Sequence, residues 1–256
     1  AFLIVLIFIS STQLKAQLSE EDMAKIAQDP IANLISVPFN YSFNPEYGPL
    51  GGDQQILKIS PVIPFANGKV ITRVVIPYVD QPQLLPFGES KSGFSDVNLS
   101  VFYTSKEGDF AYGIGPIINL PTAKQGLGSG ELGIGPSVVL VYKKHNWVAG
   151  ILMNLTTSLE SAGKTSHLSQ IFINYNLSKG YYLTSSPAIT ANFDAIQRNV
   201  WTIPLGMGAG KIVQVGALPL NLQVGAYYNV ERPTFANEWS LKASATVLLP
   251  TALFKR

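Results

Sequence analysis

Two histidines and no cysteine limit the chemistry open to this chain of 256 residues. Without a thiol there is no cysteine nucleophile, disulfide framework or thiolate metal site. His145 sits in the short segment Lys144–His145–Asn146, where a solvated turn residue is expected, not a base or a ligand. His167 opens a predicted strand beside Ser166 and Ser169, and a Ser–His pair is the minimum for an activated hydroxyl nucleophile. No further motif supports that chemistry, so no enzyme is expected. The run Gly126–Leu127–Gly128–Ser129–Gly130 lacks both the following Lys-Ser or Lys-Thr and the strand-to-helix setting of a phosphate loop, and reads as a loop. No cofactor and no metal are expected, and a net charge of +2 gives no reason to expect a nucleic-acid partner.

The elements that would position any site are mostly strands. Residues 1–16 carry the apolar run Ala1–Ser10 followed by Ala16 as a cleavage residue, and read as a secretory signal peptide. Residues 17–30 hold the one predicted helix, over Ser19–Asp29. Ser19 can cap it, acids fill its first turn, and Pro30 ends it. Residues 31–256 then alternate between apolar and polar. Leu220, Leu222, Val224, Ala226 and Tyr228 oppose Asn221, Gln223, Gly225, Tyr227 and Asn229. Trp239, Leu241, Ala243 and Ala245 oppose Ser240, Lys242, Ser244 and Thr246. Alternation over about ten residues is the length of a transmembrane strand. About twelve such strands are predicted, over 35–44, 55–65, 69–78, 96–105, 110–120, 131–143, 147–158, 167–177, 181–193, 200–212, 218–230 and 238–249.

Tight turns alternate with longer links along nearly the whole chain, as they do between the two rims of a transmembrane barrel. The link 213–217 is the exception, being a short-rim turn of some length. Aromatic residues on the apolar parity gather at strand ends. Phe65, Tyr103, Tyr112, Tyr142, Trp147 and Tyr181 lie beside the short turns. Tyr78, Phe193, Trp201, Tyr228 and Trp239 lie beside the long loops. Two such rings are the interfacial girdles of an outer-membrane protein. Charged residues make up 13% of the chain, about half the usual share, which fits a surface facing lipid. The fold class is therefore all-β, an antiparallel transmembrane β-barrel of about twelve strands with a short N-terminal helix that is periplasmic or plugs the lumen. Prolines 61, 64, 77, 116, 136, 187 and 204 fall inside predicted strands and call for bulges or irregular pairing.

On this reading the polar parity lines a lumen. The candidate lining residues are Lys58, Arg73, Asn98, Asn119, Thr190, Asn192, Asn221, Gln223, Asn229 and Lys242, mostly uncharged, with three cations. Gly206, Gly208 and Gly210 are small inward residues that leave room for a lumen or a plug. The loop Val79–Ser95 carries Leu84, Leu85 and Phe87, and is placed to fold inward, catch an apolar ligand or cap the barrel.

The segments ISVPFNYSF, ISPVIPF, ITRVVIPYV, GIGPIINLPTA, LGSGELGIGPSVV, INYNLSKGYYLTSSPAITANF and TIPLGMGAGKI resemble the MetA-pathway of phenol degradation family. Its members are outer-membrane proteins often labelled transporter or, misleadingly, neuromedin U. The resemblance spans the whole chain after the signal, and implies a porin-like passage for small solutes, aromatic or apolar ones among them, with no catalytic residues. The expected partners are outer-membrane lipid and such solutes. A non-conducting structural or surface-interaction barrel is the alternative, and an outer-membrane hydrolase built on His167 a third.

Overall fold

The computed structural model describes residues 19–160, 164–195, 199–216 and 218–249. The proposed signal peptide lies outside the described residues. Helix α1 spans Glu20–Ala27, with the Ser19 hydroxyl accepting the Asp22 N–H and three acids in its first turn. Fifteen strand segments follow among the described residues: β1 Ile35–Tyr47, β2 Gly52–Ile59, β3 Val62–Phe65, β4 Val70–Gln81, β5 Lys91–Phe94, β6 Val97–Glu107, β7 Phe110–Leu120, β8 Gly133–Lys144, β9 Trp147–Ser158, β10 Thr165–Asn176, β11 Tyr181–Ser185, β12 Ala188–Asn192, β13 Trp201–Val215, β14 Leu218–Glu231 and β15 Trp239–Leu249.

They make twelve walls of one closed antiparallel barrel. β2 and β3 are two halves of one wall, as are β11 and β12, and β5 is a flap folded back on β4. Closure comes from β1 pairing β15 over Ile35↔Leu249 to Phe43↔Leu241. The predicted elements stand within a few residues of these bounds. The exceptional link 213–217 is corrected: β13 runs on to Val215 and β14 starts at Leu218, so the connection is as tight as the others on that rim.

Pro61, Pro187 and Pro204 mark irregularities, whereas Pro64, Pro77, Pro116 and Pro136 pair in unshifted register. Pro61 separates β2 from β3 and Pro187 separates β11 from β12, because a residue without an N–H cannot continue the ladder. Pro204 lies at a register shift between β13 and β14. Pro116 and Pro136 face one another across β7 and β8. Beside Pro116, Gly115 passes so near Val101 that a Cβ there would stand 1.7 Å from its carbonyl oxygen. Against β13, the ladder of β11 ends at Thr184↔Gly208 and that of β12 begins at Thr190↔Thr202. In that interval the Ser185 hydroxyl donates to Gly206 O at 2.7 Å, and the Ser186 N–H to the Tyr227 hydroxyl at 3.0 Å.

Burial is inverted relative to a soluble protein. Large apolar side chains cover the outside, with Met207 at 74% and Val224 at 62% exposure, while Ser137, Asn174, Asn176, Thr184 and Asn221 are buried. Both aromatic rings form. Phe110–Tyr142 and Trp147–Tyr175 pair at the short-turn rim, and Phe193–Trp201 and Tyr228–Trp239 at the long-loop rim. In the short-turn half, the expectation of a mostly polar interior needs correcting. Ile71, Phe102, Val139, Val141, Val148 and Phe172 point inward there and pack around Ile31, just beyond the helix. Met23 and Ala24 of α1 pack on Tyr182, Ile212 and Leu248. The helix needs an apolar wall to bury Met23, worth about 1.5–3 kcal/mol relative to exposure, and the smaller Ala24.

Candidate functional site: the barrel lumen

Above the helix the interior opens. A cavity of about 790 Å³ is bordered by Lys58, Arg73, Asn98, Asn119, Thr190, Asn192, Gln223 and Lys242. A smaller one of about 180 Å³ lies between it and the helix, bordered by Gln28, Asp29, Arg73, Asn221 and Gln223. Arg73 and Gln223 touch both, so the two are one stepped space. The last candidate, Asn229, borders neither. It is buried, and its amide donates to Asn237 O at 2.8 Å, where it braces a loop. Parity also puts Asn40, Asn154, Gln170 and Tyr227 on the lining. The sequence argument missed the first three, although Asn154 stands between the outward Met153 and Leu155, which gave the signal.

The walls impose the charge pattern. Lys58 on β2 and Lys242 on β15 flank β1 one step apart, pairing Asn40 and Ser42. Arg73 on β4 pairs Val62 of β3, in the same wall as Lys58. Lys58 is exposed to the lumen, and Arg73 and Lys242 are half-buried. No aspartate or glutamate borders the large cavity among the described residues, and none forms an ion pair with these three cations. The ammonium of Lys242 instead rests 4.3 Å from the centre of the Tyr227 ring. A unit anion about 4 Å from a cation gains about 1 kcal/mol in bulk water and about 4 kcal/mol at an effective dielectric near 20. The large cavity, bordered by cations and no acid among the described residues, therefore concentrates anions.

The floor is held by polar contacts as well as apolar ones. Lys143 Nζ lies 2.6 Å from the fully buried Asp29 carboxylate, whose other oxygen accepts the Ile31 N–H at 2.9 Å. Gln28 and Asn176 exchange two amide hydrogen bonds of 2.9 and 3.1 Å. At the long-loop rim, Asp96 accepts from Ala123 N, Ser129 N, Ser129 Oγ and Gly130 N at 2.7–3.1 Å and so shapes the Gly126–Gly130 loop. Nearby, the hydrogen bond and charge of Glu131 hold Lys164 above the usual lysine range. Leu84, Leu85 and Phe87 border neither cavity and stand exposed at this rim.

His145 has φ 52° and is a left-handed turn residue. His167 Nε2 does lie 2.7 Å from Ser169 Oγ. The pair is on the outward parity: His167 stands opposite Leu155 and Ala191, and its ring edges onto Trp201 at 6.2 Å. Among the described residues no carboxylate or amide hydrogen-bonds this imidazole to orient it, and Ser169 is only 7% exposed.

The sequence matches no family model and no curated protein. The fold does match solved structures. The COG4313 outer membrane channel from Pseudomonas putida F1 superposes with a TM-score of 0.59 at 14% identity, over 94% of this chain and 100% of that one. The NanC porin superposes with a TM-score of 0.54 at 10% identity, over 84% of this chain and 98% of that one. At these identities the likeness is one of fold: the chain is a twelve-stranded β-barrel of the outer-membrane kind, built like proteins described as channels.

Proposed function

We propose that this barrel is a passive outer-membrane channel for small solutes, of the MetA-pathway of phenol degradation family. The observation that carries the reading is the stepped polar cavity of about 790 and about 180 Å³ inside a wall whose outer face is apolar. In this reading residues 1–16 direct secretion and are removed, and lipid is the barrel's surrounding. The lining mixes amides and hydroxyls with Val75, Ile117, Leu168 and the Tyr227 ring, so it offers contacts to a solute with an apolar or aromatic body. The channel has no catalytic step: His167 borders the cavity beside Ser166 and Leu168, but Ser169, its hydrogen-bond partner, does not.

The test is single-channel conductance of the protein refolded into planar bilayers, with and without phenol. Discrete steps that phenol reduces are the expected result. A folded, heat-modifiable barrel that passes no current would overturn it. The apolar packing of α1 and Ile31 across the short-turn half favours the second reading, a barrel that conducts nothing and serves a structural role. Such a barrel would stay silent even after the helix is released.

A further inference from the structure

We infer that Lys58, Arg73 and Lys242 form a binding site in the lumen for the oxyanion group, carboxylate or phosphate, of a small solute. This deepens the channel reading and rests on it for the solute's route. All three cations border one cavity, on walls that are neighbours or nearly so: β15, β1, β2 with β3, and β4. None has a carboxylate partner among the described residues, and that cavity has no acid on its border. A barrel interior that needed only hydration would not require three cations at one place, because clustered like charges repel. Elsewhere the floor and rim cations have partners: Lys143 is matched by Asp29 and Lys164 by Glu131, and Lys91 and Lys124 donate to the Gln125 and Ser92 carbonyls. Lys58, Arg73 and Lys242 have neither an acid nor a carbonyl partner among the described residues. An anion entering between Lys58 and Lys242 meets a guanidinium next, at the boundary of the two cavities, and guanidinium presents a planar fork that matches an oxyanion.

The full chain in planar bilayers under a potassium chloride gradient tests this, with benzoate, benzyl alcohol and inorganic phosphate as added probes. Wild type should favour chloride roughly fivefold over potassium, and the triple variant Lys58→Gln, Arg73→Gln, Lys242→Gln should fall to about parity. Benzoate or phosphate should block wild type at least about tenfold more effectively than neutral benzyl alcohol, and lose that advantage in the variant. Block by benzoate alone identifies a carboxylate solute, and block by phosphate alone a phosphorylated one. Potassium preference, or selectivity unchanged in the variant, overturns the site and leaves the channel standing. If the barrel passes no current, the midpoint of heat-modifiability on a gel decides. A rise with benzoate or phosphate in wild type, absent from the variant, upholds the site and sinks the channel, whereas no rise sinks both.

Discussion

Gly210 lies under the Tyr182 ring, and a Cβ built there would stand 2.1 Å from its Cζ. The Tyr182 hydroxyl donates to Asn221 at 2.6 Å, so the ring cannot move aside without losing that bond. Gly210→Ala should therefore destabilise the folded barrel by about 1–3 kcal/mol, read as a lower midpoint in the heat-modifiability assay. An unchanged midpoint would mean that the ring has somewhere else to go. Asp96 is a second such residue. Asp96→Ala removes the acceptor of four hydrogen bonds around Ala123–Gly130, each worth about 1.5–3 kcal/mol when a charged group takes part. Tryptic cleavage after Lys124 should speed up while the barrel itself melts as before, and equal cleavage rates would contradict the assignment. Neither residue stood out in the sequence by function. Inward glycines were legible as making room, but not for which ring. Asp96 was illegible because its partners, three backbone N–H groups and the Ser129 hydroxyl, lie about thirty residues downstream, and no local spacing records them.

At the scale of elements, the helix is held by one buried charge pair and a small apolar face. Lys143→Met leaves the Asp29 carboxylate buried and unpaired, which costs about 3–5 kcal/mol for a fully buried pair, and less here because Lys143 is one-third exposed. Amide hydrogen exchange over residues 20–33 should accelerate by more than about tenfold, with the strands unaffected. Single-channel current should rise with it. Exchange that stays slow would show that the apolar contacts and the Gln28–Asn176 pair hold the helix without the charge pair. The strands themselves were legible because each outer face sees lipid and each inner face sees polar groups, so parity is written in every second residue. That rule failed in the short-turn halves of β8 and β9. There Val139, Val141 and Val148 are apolar on the inner face too, since they meet the plug and not water. The site was legible to the same extent: Lys58, Arg73 and Lys242 showed themselves as cations on the inward parity, but their gathering in one cavity depends on barrel closure through β1 and β15, which no local pattern states.

The whole molecule depends on its outer face staying in lipid. Met207 and Leu205, 74% and 57% exposed, lie well between the two aromatic rings. Met207→Arg should reduce folding stability in bilayers by about 2–4 kcal/mol, read by denaturant titration in vesicles. The same change at Glu231, beyond the girdle, should cost little. Loss of equal size at both positions would place the membrane boundary wrongly. The girdles also set a length. On β13, Trp201 marks one ring, and Lys211, whose ammonium donates to the Tyr181 hydroxyl at 3.0 Å, marks the other. Ten residues at about 3.3 Å each, tilted by about 40°, span about 25 Å along the barrel axis. That is some 5 Å thinner than an average bilayer interior. The protein therefore carries a thickness preference of its own. It should fold fastest into thin, short-chain lipid and resist thick, sterol-rich membranes, and where a membrane varies in thickness it should collect in the thinner patches.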